Sequence, residues 1–197
     1  IYLISDEPYR ELVYDGNQED FLTKYYRNTI VGYSFSKSLS LPGERIGYVA
    51  INPACPDAAD MVQMCGQISR GIGHNCPPSI IQLAVAQVLD RTADLSVYET
   101  NMNLLYDALT RLGFDVVRPG GTFYIFPKVD TKKFNIHSDE QMALDLLKEQ
   151  RILVTAGTGF NWGEPDHFRI VYLPDLVSLN DASRRLEKFF GSYRQKD

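Results

Sequence analysis

Cysteine is scarce in this sequence: Cys55, Cys65 and Cys76 are odd in number and lack the spacing of a metal site. That excludes a disulfide framework and predicts free thiols in a reducing, cytoplasmic setting. Histidine is equally sparse, and His74, His137 and His167 are scattered, so no structural metal is expected. Basic charge is also short. Lys and Arg total 20 against 25 Asp and Glu, a formal net charge of -5. A nucleic-acid partner usually meets a basic face, so none is expected, although a local basic pocket for a small anion remains open. No apolar run is long enough to span a bilayer; the longest, residues 79–89, is short and interrupted by Ser79, Gln82 and Gln87. No signal-peptide pattern is present, and no membrane partner is expected. The chain also lacks an initial Met and opens directly in Ile1-Tyr2-Leu3-Ile4, a run with strand character. The expectation is a piece of a longer protein.

What is present is an ordinary globular composition, 44% hydrophobic and 23% charged over 197 residues, enough to bury a substantial core. Residues 1–5 read as a buried strand broken at Pro8, and residues 29–35 and 45–51 as two further strands. Helical periodicity runs from Pro56 to Arg70. Pro77-Pro78-Ser79 opens a second helix with Ile80, Ile81, Ala84, Val85 and Val88 on one face. After Arg91 the texture changes. A long amphipathic helix through Leu104, Leu105, Ala108 and Leu109 ends at Gly113, and residues 114–117 and 122–126 flank Pro119-Gly120-Gly121 as an expected hairpin. Ser138 and Gln141 have the spacing of a capping box before another helix. Strands over 152–155 and 168–172 and a final helix complete the pattern. The fold class is α/β over residues 1–90, followed by a small α+β domain over 91–197.

One stretch stands apart. Residues 33–48 read YSFSKSLSLPGERIGY, with a single lysine among small hydroxyl residues and no carboxylate before Glu44. Singly, Lys37 reads as a solvated loop residue and Arg45 as a partner of Glu44. Together they read otherwise. A lysine becomes a nucleophile when its charged form is disfavoured or when it is held as an imine, and neutral neighbours suit that better than carboxylates. Serine hydroxyls suit a phosphate, and Arg45 offers it a rigid cationic fork. Asp6, just after an apolar strand, lies where ligands gather in α/β sheets, with Tyr9 three positions on.

Asp6-x-x-Tyr9, then Ser34-x-Ser36-Lys37, then Gly43-Glu44-Arg45-Ile46-Gly47 resembles the fold type I pyridoxal-phosphate aminotransferases, the aspartate aminotransferase group in particular. The resemblance continues through residues 120–126 and ends at Phe168-Arg169-Ile170, covering essentially the whole chain but only the C-terminal half of such an enzyme. It implies that residues 1–90 are the C-terminal portion of the large cofactor-binding domain and residues 91–197 the small C-terminal domain. It also implies pyridoxal 5'-phosphate as cofactor, amino acid and 2-oxo acid substrates, and a homodimeric parent.

By the same resemblance, Lys37 would hold the cofactor covalently and then shuttle the substrate α-proton. Asp6 would pair with the pyridine nitrogen and Tyr9 with the phenolic oxygen. Ser34, Ser36 and Arg45 would hold the phosphate, and Arg169 would clamp the substrate α-carboxylate. Residues 71–77 resemble a stretch that in this family approaches the neighbouring subunit's active site. Two departures stand out. The family commonly has Pro-Gly before its carboxylate-binding strand, whereas this sequence has Ala156-Gly157-Thr158-Gly159-Phe160, and the family's N-terminal half is missing. The expected activity is therefore that of a parent aminotransferase, with this chain alone inactive. The alternatives are a β-eliminating lyase or decarboxylase on the same scaffold, a non-catalytic fragment or pseudoenzyme module, and a phosphate binder that uses Ser34 and Arg45 without a covalent lysine.

Overall fold

The computed structural model describes residues 1–16 and 19–196. Its backbone gathers into two compact units, Ile1–Leu95 and Ser96–Asp197. Among the described residues no helix is long and apolar enough to cross a membrane.

The first unit is built on a three-stranded sheet of β1 (Leu3–Asp6), β2 (Thr29–Ser34) and β3 (Gly47–Ile51) in that spatial order. β1 runs parallel to β2 with Asp6 opposite Gly32, so Asp6 and Ser34 come to the same, carboxyl, edge. β3 returns antiparallel with Gly47 opposite Ser34. In β2, Thr29, Val31 and Tyr33 are buried and the residues between them are partly exposed, the period-two pattern of a strand with one covered face.

Gly47 has no freedom to be anything larger. A Cβ there would stand 2.2 Å from the Tyr33 carbonyl oxygen. β2 passes directly into α1 (Phe35–Ser38), a single turn that Ser34 caps by accepting the Ser36 amide proton at 3.1 Å. Two longer helices, α2 (Ala58–Gly71) and α3 (Ser79–Ala86), follow β3.

One expectation fails here: the strand forms over Leu3–Asp6, but it is not buried, since Leu3 and Ile4 are exposed, as is Ile1 before it. The apolar run records a capacity for burial, and β1 pairs only with β2, so its other edge has no strand partner among the described residues. The expected helix α3 forms, and Val85 is its buried residue.

Helix α4 (Leu95–Arg111) leads into the second unit and buries Met102, Leu105, Ala108 and Leu109. Its end follows the sequence closely: Gly113 takes φ 82°, and the Phe114 amide reaches back to the Leu109 carbonyl at 3.2 Å. A left-handed glycine with this bond closes a helix in the Schellman manner. β4 (Tyr124–Ile125) and β5 (Thr155–Ala156) both pair antiparallel with the central β6 (Phe168–Val171). The expected hairpin of 114–117 with 122–126 is therefore absent. β4 instead takes β6 as its partner, and Asp115 bridges to Lys128.

After α5 (Thr131–Phe134) comes α6 (Asp139–Gln150), capped by Ser138, whose hydroxyl accepts the Gln141 amide proton at 3.2 Å. Only half the capping box is made, because the Gln141 side chain donates to Asp145 instead.

The closing helix α7 (Leu176–Ser192) lays Phe189 and Phe190 into an aromatic core. Phe190 meets Phe114 edge to face at 4.8 Å and Phe134 at 5.3 Å, and stacks on Phe168 at 6.1 Å. All four rings are buried. Phe190→Ala is expected to cost about 3–5 kcal/mol, since it removes a ring shared by three others and leaves a cavity. Urea denaturation of the variant checks this; a loss below about 1 kcal/mol would contradict the packing.

Candidate functional site

The carboxyl edge of the first unit's sheet collects most of the residues singled out in the sequence. Ser34, Ser36 and Arg45 line one cavity of about 540 Å³, together with Gly47, Ser69, His74, Asn75 and Cys76. The two serine hydroxyls are 2.6 Å apart. Arg45 takes a left-handed φ of 53° where the short 3-10 turn Pro42–Glu44 ends, and its Nη1 donates to the Pro42 carbonyl at 2.8 Å. That bond fixes part of the guanidinium while the side chain stays exposed to the cavity.

Paired hydroxyls and a guanidinium around one hollow make a donor set for a phosphate dianion. Among the described residues no carboxylate lines the hollow. The residues present therefore fit the phosphate of pyridoxal phosphate.

Lys37 follows Ser36 on α1 and is half-buried, with Nζ 5.6 Å from the centroid of the Tyr9 ring. Asp6 ends β1 at the same sheet edge and is exposed. The structure thus brings Ser34, Ser36 and Arg45 to one hollow, and sets Tyr9 against Lys37.

Beneath α1 lies a support that sequence reasoning missed. The Tyr33 hydroxyl donates to Glu11 Oε2 at 2.8 Å and is hydrogen-bonded to Ser38 Oγ at 2.7 Å. Ser38 is buried and directly follows Lys37. Burial, with the Glu11 carboxylate adding to it, pushes the Tyr33 phenol up to about 12 against a smaller opposing pull from Ser38. The only sequence signal was the alternation of β2, which marks Tyr33 as inward but not as a hydrogen-bonding partner.

Arg169 stands on β6 in the second unit. Its guanidinium carbon lies 4.6 Å from the Tyr124 ring centroid and 4.4 Å from that of Phe160. Its Nε is buried and makes no hydrogen bond among the described residues. A buried donor without an acceptor is costly, so this guanidinium, stacked between rings, is suited to an anionic ligand.

Among the described residues no cluster of three or more His, Cys, Asp or Glu side chains is placed to hold a metal ion.

Comparison with known proteins gives three findings. The family model described as aminotransferase class I and II matches residues 1–182. The glutamate-pyruvate aminotransferase AlaA of Haemophilus influenzae is 34% identical, over 99% of this chain and 50% of its own length. The alanine aminotransferase of Mycobacterium tuberculosis is 33% identical, over 99% of this chain and 47% of its own. Among solved structures, an aminotransferase from Eubacterium rectale superposes with a TM-score of 0.87 at 39% identity, covering 98% of this chain and 47% of that one. The chain spans about half the length of the curated relatives it matches.

Because folding raises the Tyr33 phenol, the folded state holds a proton that the unfolded state releases above about pH 10. The stabilisation is fully present below that pH and is lost as pH rises towards about 12. Thermal unfolding across this range should show a fall in midpoint that is shallower in Tyr33→Phe; identical slopes would contradict the assignment.

Proposed function

This chain belongs to the class I and II aminotransferase family, and on that premise we propose that it is the C-terminal portion of an enzyme that moves an amino group between an amino acid and a 2-oxo acid. Its mixed α/β fold is that of the fold type I aminotransferases. Family membership implies pyridoxal 5'-phosphate as the cofactor. In this reading residues 1–90 are the C-terminal part of the cofactor-binding domain, residues 91–197 are the small domain, and the parent is a cytoplasmic homodimer. The observation that carries the reading is the convergence of Ser34, Ser36 and Arg45 on one hollow at the strand end from which Lys37 follows.

Bound pyridoxal phosphate supplies an electron sink for the pair left on the substrate α-carbon when its proton departs. The protein's own groups do the rest. Ser34 and Ser36 donate hydroxyl hydrogens and Arg45 a guanidinium edge to the phosphate, which anchors one end of the cofactor. Lys37 would hold the cofactor through Nζ, and the same Nζ as a free amine would move the α-proton between the substrate α-carbon and the cofactor. Asp6 would face the pyridine nitrogen and favour a proton there. Tyr9 donates to the phenolic oxygen. Arg169 takes the α-carboxylate in a two-pronged contact that a lysine would make poorly.

A β-eliminating lyase or a decarboxylase could use the same groups, and the names of the relatives favour transamination. The test uses the protein extended to the full length of those relatives. Amino transfer from alanine or glutamate to an added 2-oxo acid supports the reading, and Lys37→Ala should lower that rate by at least about 10³-fold. Pyruvate release from an amino acid over many turnovers without any acceptor would overturn it. The 197-residue chain should itself show no turnover.

A further inference from the structure

The loop between β5 and β6 carries Phe160, the ring that covers one face of Arg169. Burial does not hold this loop: Phe160 is 46% exposed and Trp162 45%. Two carboxylates hold it instead, one on each side of Phe160.

Two residues before the ring, Thr158 donates both its amide and its hydroxyl to Asp139, each at 2.8 Å. Asp139 is buried at the start of α6. Two residues after the ring, the Trp162 indole donates to Asp166 Oδ1 at 2.9 Å. The same oxygen is 2.6 Å from His167 Nδ1, and Lys128 Nζ pairs with Oδ2 at 3.1 Å. Phe126 stacks on the His167 ring at 4.8 Å and meets Phe160 edge to face at 6.3 Å, so the Asp166 cluster abuts the Phe160 ring. Burial works to raise the Asp166 carboxyl, but donors from His167, Trp162 and Lys128 outweigh it and hold the group below the usual carboxylate range.

We propose that Asp166, seconded by Asp139, is a positioning residue that pins both sides of Phe160 so that its ring fixes the Arg169 guanidinium in one orientation for a substrate carboxylate. The proposal rests on the reading of Arg169 as the carboxylate clamp, and its physical logic is short. A guanidinium between two rings keeps its plane only while both rings stay in place. Tyr124 is held by the sheet, whereas Phe160 sits on an exposed loop and needs separate anchors. Charge-assisted bonds to a carboxylate are short and directional, which suits them to that task.

The first test needs no activity and uses the chain as it is. The Arg169 Nε–Hε proton lies beside two aromatic rings, so its NMR resonance is displaced by their ring currents; its loss in Arg169→Lys assigns it. Phe160→Ala gives the position expected when that ring is gone. In Asp166→Asn the resonance should move at least halfway to the Phe160→Ala position. Thr158→Val, which removes one bond to Asp139, should move it in the same direction by less.

An unchanged Hε resonance in folded Asp166→Asn overturns the proposal and leaves the clamp reading intact. Should Asp166→Asn fail to fold by circular dichroism, Trp162→Phe removes a single donor and carries the same expectation. Trp162 is the chain's one tryptophan. Its emission therefore reports the cluster directly, and a spectrum in Asp166→Asn identical to wild type also overturns the proposal.

The second test separates the two claims in the full-length enzyme. Asp166→Asn should raise KM for the amino acid about tenfold while leaving kcat within about twofold. That KM effect should vanish in an Arg169→Lys background. If Arg169→Lys itself leaves KM unchanged, the clamp reading fails whatever the loop does.

Discussion

Where β2 turns into α1, the Ser34 hydroxyl accepts the Ser36 amide proton at 3.1 Å and lies 2.6 Å from Ser36 Oγ. One side chain thereby ends a strand, starts a helical turn and faces the cavity that also holds Arg45. The rest of the first unit serves this junction. Parallel pairing of β1 with β2 sets Asp6 at the same edge, and the antiparallel return of β3 brings Arg45 back beside the serines. Gly47 lets that return approach so closely that no other residue would fit. Tyr33, tied to Glu11, grips Ser38 and so holds the far end of the turn on which Lys37 rides.

The second unit solves a different problem. Its helices close over a core of phenylalanines, and its sheet presents Arg169 from the central strand β6. On the reading of Arg169 as a carboxylate clamp, this guanidinium must stay oriented and available. Contact with the Tyr124 and Phe160 rings, at 4.6 and 4.4 Å, orients it without consuming its donors, which an ion pair would do. The cost is that one of the two rings comes from an exposed loop, so the carboxylates of Asp139 and Asp166 are needed to hold that loop.

Much of this was legible in the sequence. The run of residues 29–35 marked β2, and Gly113 marked the end of α4, because both signals are local. The spacing of Ser34, Ser36 and Arg45, read through the family resemblance, anticipated that the three would meet at one hollow. The exposure of β1 was not legible, because an apolar run states what a strand can bury and says nothing of what covers it. Nor was the pairing of β4 with β6, a choice made between strands more than forty residues apart. Asp139 and Asp166 carry no local signal either. An acid at a helix start or in a loop is ordinary until the fold shows which donors meet it.

The central claim is that Lys37 is the residue that holds the cofactor. Its most direct test is to add pyridoxal phosphate, reduce with borohydride, and map the labelled peptide by mass. The measurement belongs on the chain extended to the full length of its relatives, with this 197-residue chain run beside it. The account predicts the label on Lys37 in the extended protein. An extended protein that absorbs no cofactor and leaves Lys37 unlabelled would contradict it.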